Sequence, residues 1–194
     1  MAAAEPPPDT ERGAAAPSLA AGDFRGWVRE FARALAGEAD ADVDCGSCDA
    51  CCRSSQFVHI GPEETDALAH IPATLRFPAP GMPGHQVMGF DAAGRCPMLG
   101  PDGCTIYPHR PRTCRTYDCR VFPAAGIDPA PERPLVAERA NRWRFDLDAA
   151  EAHALHDEVV AEARSLAAEP GRSLTEIAVV AVRRVAIRSS RLRD

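Results

Sequence analysis

The sequence has 194 residues, 45% of them hydrophobic, and a net charge of -6. This length allows one domain with a hydrophobic core, and the acidic balance argues against a dedicated nucleic-acid binder. All 22 basic residues are arginine, which excludes catalysis through a lysine Schiff base. The sequence has neither a membrane-length apolar run nor the basic and apolar regions of a signal peptide, so we expect a cytoplasmic protein without membrane contacts.

The N-terminal part combines a low-complexity tail with a helix. Residues 1–22 are rich in alanine and proline, and we expect them to form a disordered tail. Asp23 can cap a helix whose apolar side chains recur at helical spacing over residues 24–35, and Gly37 can end it. The first domain boundary is therefore expected between residues 22 and 23.

The middle of the chain predicts short elements. Residues 57–60 and 85–90 read as strands, and Pro62 with the acids after it predicts a helix that ends near His70. Residues 72–134 hold twelve of the 18 prolines, which prevents long regular helices or sheets there. This segment needs stabilisation from something other than regular secondary structure.

The C-terminal third, residues 146–190, predicts two helices. Asp148 with Glu151 and Ser173 with Glu176 each form a capping-box pattern ahead of periodic apolar residues. Frequent β-branched residues in the second segment leave a strand as its alternative.

All eight cysteines lie in two groups, and none lies elsewhere in the chain. The groups are Cys45, Cys48, Cys51 and Cys52, and Cys96, Cys104, Cys114 and Cys119. Cysteines used only as small core residues would be scattered among the other apolar residues. Clustered cysteines in a reducing compartment indicate metal ligands. We therefore predict a single metal-binding domain over residues 23–194, with its cysteine-cluster core at residues 45–120.

The spacing leaves the metal open between iron and zinc. Cys45, Cys48 and Cys51 match the run that binds a [4Fe–4S] cluster, and Cys96-Pro97 fits as the remote fourth ligand. Eight cysteines also divide into two zinc sites of four thiolates each, with Cys51 and Cys52 in different sites. Several arginines near the cysteines could neutralise the thiolate charge: Arg53, Arg95, Arg110, Arg112, Arg115 and Arg120.

The histidines carry less weight than the cysteines. Three flank the cysteines and could replace a sulfur, although a surface role is the simpler interpretation for each: His59, His85 and His109. His153 and His156 lack the Glu-x-x-His pairing of di-iron sites and are expected to be solvated.

Several segments together resemble the YkgJ-type cysteine-cluster (CxxCxxCC) family of zinc- or iron-chelating or iron–sulfur proteins. They are Cys45 to Cys52, Phe57 to Ile60, Pro62 to Glu64, Cys96 to Leu99, Gly103 to Tyr107, Arg110 to Arg115, and Tyr117. The resemblance covers about 75 residues and implies metal chelation by the matching cysteines. Related clusters occur in a flagellin lysine methylase.

Three functions follow from these patterns. The favoured one is an iron–sulfur protein for redox chemistry, sensing or iron handling, with a protein redox partner. The alternatives are a zinc-stapled interaction module and, by analogy alone, an iron–sulfur enzyme of methyl-transfer type. No glycine-rich cofactor loop supports the last. The expected fold is α+β, with a small irregular cysteine-stapled core of short strands flanked by N- and C-terminal helices. Tyr107 and Tyr117 are expected either to pack around the site and limit solvent or to be plain core residues.

Overall fold

The computed structural model describes residues 16–41, residue 43 and residues 45–191. The described part is an α+β structure, as predicted, with helices at both ends and short strands between them. Its α-helices are α1 (Phe24–Ala36), α2 (Thr65–His70), α3 (Arg112–Arg115), α4 (Val121–Ala124), α5 (Pro134–Ala140), α6 (Ala150–Ala167) and α7 (Leu174–Arg191). Its strands are β1 (Leu19–Asp23), β2 (Val58–Ile60), β3 (Arg76–Pro78), β4 (Gln86–Met88), β5 (Leu99–Gly100), β6 (Gly103–Cys104) and β7 (Trp143–Asp146).

Helix α1 begins and ends where the sequence predicts. The Gly26 backbone N–H donates to Asp23 Oδ2 at 2.6 Å, which satisfies one of the unpaired amides of the first turn. Gly37 follows the helix with φ 85°, a left-handed conformation that glycine adopts without the steric cost of a side chain. The apolar face of α1, which includes Phe24 and Trp27, is buried.

The large core joins the two ends of the chain. Strands β1 and β7 pair in parallel, and α1, α4, α6 and α7 pack around them. Phe122 of α4 is fully buried at its centre, together with Val159 of α6 and Val182 of α7. Residues 19–22, within the segment expected to be a tail, form most of β1, whereas residues 1–15 of that segment lie outside the described residues.

Both predicted C-terminal helices are present, but only one is capped as predicted. The Glu176 N–H donates to Ser173 Oγ at 3.2 Å at the start of α7, which is helical throughout rather than a strand. The predicted cap by Asp148 is wrong, because α6 begins at Ala150 without a side-chain cap. The Asp148 N–H instead donates to Asp146 Oδ1 at 2.9 Å, in a turn after β7.

The small core lies in the middle of the chain. Strands β2, β4 and β3 form an antiparallel sheet in that order, and α2 packs against it through Ala67. Ile60 and Met88 are buried inside it. The predicted strands are confirmed at Val58–Ile60 and Gln86–Met88. As the prolines predict, the elements between residues 72 and 134 are at most seven residues long.

None of the helices in the described ranges is both long and apolar enough to cross a bilayer.

Candidate metal centre

The first cysteine run forms a tight loop followed by a short 3-10 turn, Cys51–Arg53. The Cys48 N–H donates to the Cys45 carbonyl at 2.9 Å, so the chain reverses within four residues. Gly46 lies inside that turn with φ 52°, which glycine tolerates best. The Ser54 hydroxyl donates to the Ala50 carbonyl and closes the turn that carries the last two cysteines of the run.

Four cysteines surround a cavity of about 30 Å³ beside the large core. Three of them come from the first run, and the fourth, Cys119, precedes α4; we call Cys45, Cys48, Cys51 and Cys119 the first thiol set. Val43, Val136 and Tyr117 complete the apolar side of the wall. Cys119 is buried and belongs to the large core. The first thiol set is therefore anchored on the body that contains the terminal helices.

The other four cysteines gather beside the small core, and we call Cys52, Cys96, Cys104 and Cys114 the second thiol set. The Cys96 N–H donates to the Cys52 carbonyl at 2.7 Å, and Cys104 lies on β6 in the hairpin that follows Cys96. Cys114 lies on α3 and packs against the small core together with Cys96 and Cys104. After larger contributions from burial and from Cys51, the charge of Cys96 also raises the pKa of Cys52 and of Cys114, so these thiols lie near one another and near Cys51.

The two thiol sets meet at Cys51 and Cys52. The two side chains share a hydrogen bond, which lowers the pKa of Cys51 to about 7 and raises the pKa of Cys52. Cys51 lines the first-set cavity, whereas Cys52 does not. Cys96, predicted as the fourth ligand of the first run, does not line that cavity and Cys119 does, while the charge of Cys51 contributes to raising the pKa of Cys96. How the cysteines divide between metals stays a prediction.

Burial opposes ionisation of most of these thiols. It raises the pKa of Cys114 and of Cys119 to about 12, and it also raises the pKa values of Cys45 and Cys96. All eight cysteines are free thiols. Buried thiols gathered in fours suit a metal, because a bound cation supplies the positive charge that water cannot supply there.

Two residues support Cys119, and only one of them, Asp118, lies near it in the sequence. The Trp143 indole N–H donates to the Cys119 sulfur at 3.3 Å, and hydrogen bonds to thiolates tune a bound metal. Asp118 is 4% exposed and accepts a 2.7 Å hydrogen bond from the Trp27 indole. Its carboxylate also lies 2.8 Å from the Arg120 guanidinium. This buried ion pair holds Cys119 between α1 and α4.

The arginines near the second set contact backbone carbonyls, a carboxylate and an aromatic ring. Arg112 donates to the Ala34 and Leu35 carbonyls at 2.8 and 3.2 Å, at the C-terminus of α1. Arg115 pairs with Asp40 at 2.9 Å, and Arg110 lies 3.6 Å above the Tyr107 ring. Arg110 is a minor contributor to the lowered pKa of Cys51 and opposes the raised pKa values of Cys45 and Cys114, in the direction expected of a residue that neutralises thiolate charge.

Glu64 joins the start of α2 to α3. Its carboxylate accepts hydrogen bonds from the Gly61 N–H at 2.7 Å and from the Arg112 N–H. The acidic residues predicted to open α2 therefore also fix the helix that carries Cys114.

The tyrosines and histidines divide between the site and the surface. Tyr117 lines the cavity of the first set as predicted, whereas the prediction for Tyr107 is wrong, because it is 53% exposed. His59 stacks on His85 with ring centroids 4.9 Å apart. His156, predicted to be solvated, is partly buried against Phe24 at 5.1 Å. No histidine is among the described residues that line the first-set cavity.

A polar cleft of about 240 Å³ opens beside the first thiol set. Cys48 and Arg139 line both the cleft and the cavity. Arg53 and Arg142 provide further positive charge on the cleft walls, and Glu138 provides negative charge. Solutes can therefore approach the first set from this side.

The donor chemistry of both sets fits a thiolate-bound metal. Soft sulfur ligands select zinc or iron–sulfur clusters over magnesium or calcium. A family model described as "Putative zinc- or iron-chelating domain" (CxxCxxCC) matches residues 44–141, a range that includes all eight cysteines. No curated protein and no solved structure matches the chain. The matched range covers half of the chain and contains both thiol sets, so this protein belongs to the CxxCxxCC family of zinc- or iron-chelating domains.

Proposed function

We propose that the protein holds iron–sulfur clusters of the [4Fe–4S] type at its two thiol sets, and that it serves in redox chemistry, sensing or iron handling. The observation that carries this proposal is the division of the eight cysteines into two sets of four that meet at Cys51 and Cys52. Four thiolates are the ligand number of one such cluster. No cysteine is then left without a ligand role.

The distribution of the first cysteine run between the two thiol sets supports iron. Cys45, Cys48 and Cys51 stay together around one cavity, while the next residue, Cys52, joins the other set. In two-cluster ferredoxins a cysteine of one run likewise ligates the second cluster.

The surrounding residues suit a buried redox centre. A bound cluster would supply one-electron chemistry at a potential set by hydrogen bonds to sulfur and by solvent exposure. Trp143 donates such a hydrogen bond to Cys119, and Tyr117 shields the cavity. Arg110 and Arg139 lie where their charge favours the thiolate of Cys45. A redox role requires a protein partner, and eight free thiols are best kept reduced in the cytoplasm.

A zinc-stapled interaction module is the second candidate function. The cavity of the first set measures about 30 Å³, roughly two water-sized spheres, which accommodates one ion more readily than an eight-atom cluster. In this case the metals would join the large and small cores, and their binding free energy would contribute to folding.

Metal analysis of protein purified without oxygen distinguishes these functions. Two clusters predict about eight irons and eight sulfides per chain with broad absorption near roughly 400 nm. The zinc module predicts about two zinc ions per chain and no colour. Colourless protein without iron after anaerobic purification would refute the iron proposal.

Cysteine variants test the two-set arrangement separately from the identity of the metal. Cys48→Ser should impair the first set and Cys114→Ser the second, so each variant should lose about half of the bound metal and become less soluble. The matched control Ser47→Ala changes a neighbouring residue of the same loop that contributes no thiol. Unchanged metal content in both cysteine variants would contradict the ligand assignment.

Cys119→Ser and Cys96→Ser test the division itself. Each single variant should lose the metal of its own set, so the double variant should lose both metals. If Cys96 instead served the first run, Cys48→Ser combined with Cys96→Ser would lose no more metal than Cys48→Ser alone.

A further inference from the structure

A histidine–aspartate cluster lies on the outer face of the small core, apart from the two thiol sets. It consists of Asp66 and His70, one turn apart on α2, and His109, at the end of the turn Tyr107–His109. The three residues offer ligand atoms that all lie within 4.8 Å of one another. Among the described residues, this is the only group of three or more potential metal ligands that meets this distance criterion.

The ligand atoms of the cluster lie at distances near those of a metal site. His109 Nδ1 lies 2.9 Å from Asp66 Oδ2, and His70 Nδ1 lies 3.5 Å from Asp66 Oδ1. Zinc bonds of about 2.1 Å in a tetrahedron place neighbouring ligand atoms about 3.4 Å apart. The two rings lie in nearly parallel planes, so both imidazoles would have to rotate before their nitrogen lone pairs point at one ion.

The two imidazole rings face the same carboxylate in a stacked arrangement. Their centroids are 3.5 Å apart and their planes differ by 4°. A divalent cation bound by both imidazoles and the carboxylate would unstack the rings. It would displace the hydrogen bond of 2.9 Å between His70 Nδ1 and the Asp66 carbonyl.

Buried neighbours hold the two halves of the cluster in place. Ala67 follows Asp66 and Ile71 follows His70 in the chain. Both pack in the small core together with Ile106, which lies just before the turn that carries His109. The ligand side chains themselves remain in contact with solvent, because those of Asp66, His70 and His109 are 67%, 41% and 36% exposed.

We propose that Asp66, His70 and His109 form a further metal site, which binds a divalent cation of the zinc class reversibly. Nitrogen and carboxylate ligands suit Zn²⁺, Co²⁺ and Ni²⁺, in contrast to the all-sulfur ligands of the thiol sets. Three protein ligands leave a coordination position open to water, and the exposure of the cluster makes exchange fast. The site does not depend on which metal occupies the thiol sets.

Cobalt titration of the protein with its thiol sets already loaded tests this proposal. We expect one additional Co²⁺ per chain, with the weak visible absorption of nitrogen and oxygen ligands and without the intense near-ultraviolet bands of cobalt bound to thiolate. Zn²⁺ should displace this Co²⁺, as the usual affinity order requires.

Ligand variants identify the residues involved. Asp66→Asn and His109→Gln should each weaken Co²⁺ binding by at least about tenfold, while metal content at the thiol sets stays unchanged. His153→Gln, which replaces an exposed histidine of α6, is the matched control and should bind as the wild type does. The proposal is overturned if the loaded protein takes up no further Co²⁺, if both ligand variants bind normally, or if all bound Co²⁺ shows thiolate bands.

Discussion

Replacing Asp118 by alanine should destabilise the protein more than removal of any surface carboxylate. Asp118 is 4% exposed, and its carboxylate accepts hydrogen bonds from the Trp27 indole at 2.7 Å and the Arg120 N–H at 2.9 Å. The Arg120 side chain is 12% exposed and lies 2.8 Å from it. Breaking a buried ion pair costs about 3–5 kcal/mol. Because Arg120 keeps some contact with water, we expect about 3 kcal/mol.

Urea denaturation of the metal-loaded protein measures this cost. With a slope of about 2–3 kcal/mol/M, a loss of about 3 kcal/mol lowers the midpoint by about 1–1.5 M. Asp40→Ala is the matched control, since Asp40 pairs with Arg115 at 2.9 Å but both side chains are more than one third exposed, and such pairs contribute about 0.2–1 kcal/mol. Equal midpoints for Asp118→Ala and Asp40→Ala would refute the reasoning.

Two further changes test a helix end and a helix pair. Gly37→Ala should cost about 1–2 kcal/mol in urea denaturation, because an alanine at φ 85° is strained and its Cβ would lie 2.9 Å from the Arg112 guanidinium. Glu162→Gln should cost about 0.5–1 kcal/mol at pH 7, because Arg184 and Arg188 lie 2.9 Å from the Glu162 carboxylate and lower its pKa. A group whose pKa is lowered on folding contributes stability above its unfolded pKa of about 4.3. That contribution disappears as the pH falls through the lower, folded pKa, so the stability difference between the two proteins should shrink as the pH falls below about 4.3.

Controls for these two changes are available in the chain. Gly81 has φ 71° and nothing within 4 Å of an added Cβ, so Gly81→Ala measures the backbone strain alone. A loss in Gly81→Ala as large as that in Gly37→Ala would show that contact with Arg112 contributes nothing. For the helix pair, a difference between Glu162→Gln and wild type that stays constant from pH 7 to pH 3 would contradict an electrostatic origin.

Local features of the fold could be predicted from the sequence because their causes lie within a few residues. Asp23 and Gly37 determine the ends of α1 through backbone capping, and Ser173 caps α7. The pairing of β1 with β7 could not be predicted, since it joins Leu19 to Trp143 through strands of only five and four residues. Strands this short show too little alternation of apolar and polar residues to identify the strand with which each pairs.

The same distinction between local and tertiary causes applies to the candidate site. The sequence identifies all eight cysteines as candidate ligands, because their clustering and spacing can be read from the linear sequence. It does not indicate that Cys119 lines the same cavity as the first run, because that position depends on α4 packing into the large core. The support from Trp143 to Cys119 likewise depends on tertiary structure, as does the approach of His109 to Asp66.

The order of the two cores along the chain has a consequence for synthesis on the ribosome. Every residue of the small core lies between Val58 and Cys114, whereas the large core requires both β1 and Val185. Domains fold as units as the chain emerges, so the small core and the second thiol set can assemble while α6 and α7 are still being made. The partner strand of β1 emerges more than a hundred residues after it. A nascent chain thus carries a complete second thiol set and an incomplete large core. The thiols of the second set therefore need a metal or a reducing environment before synthesis of the chain is finished.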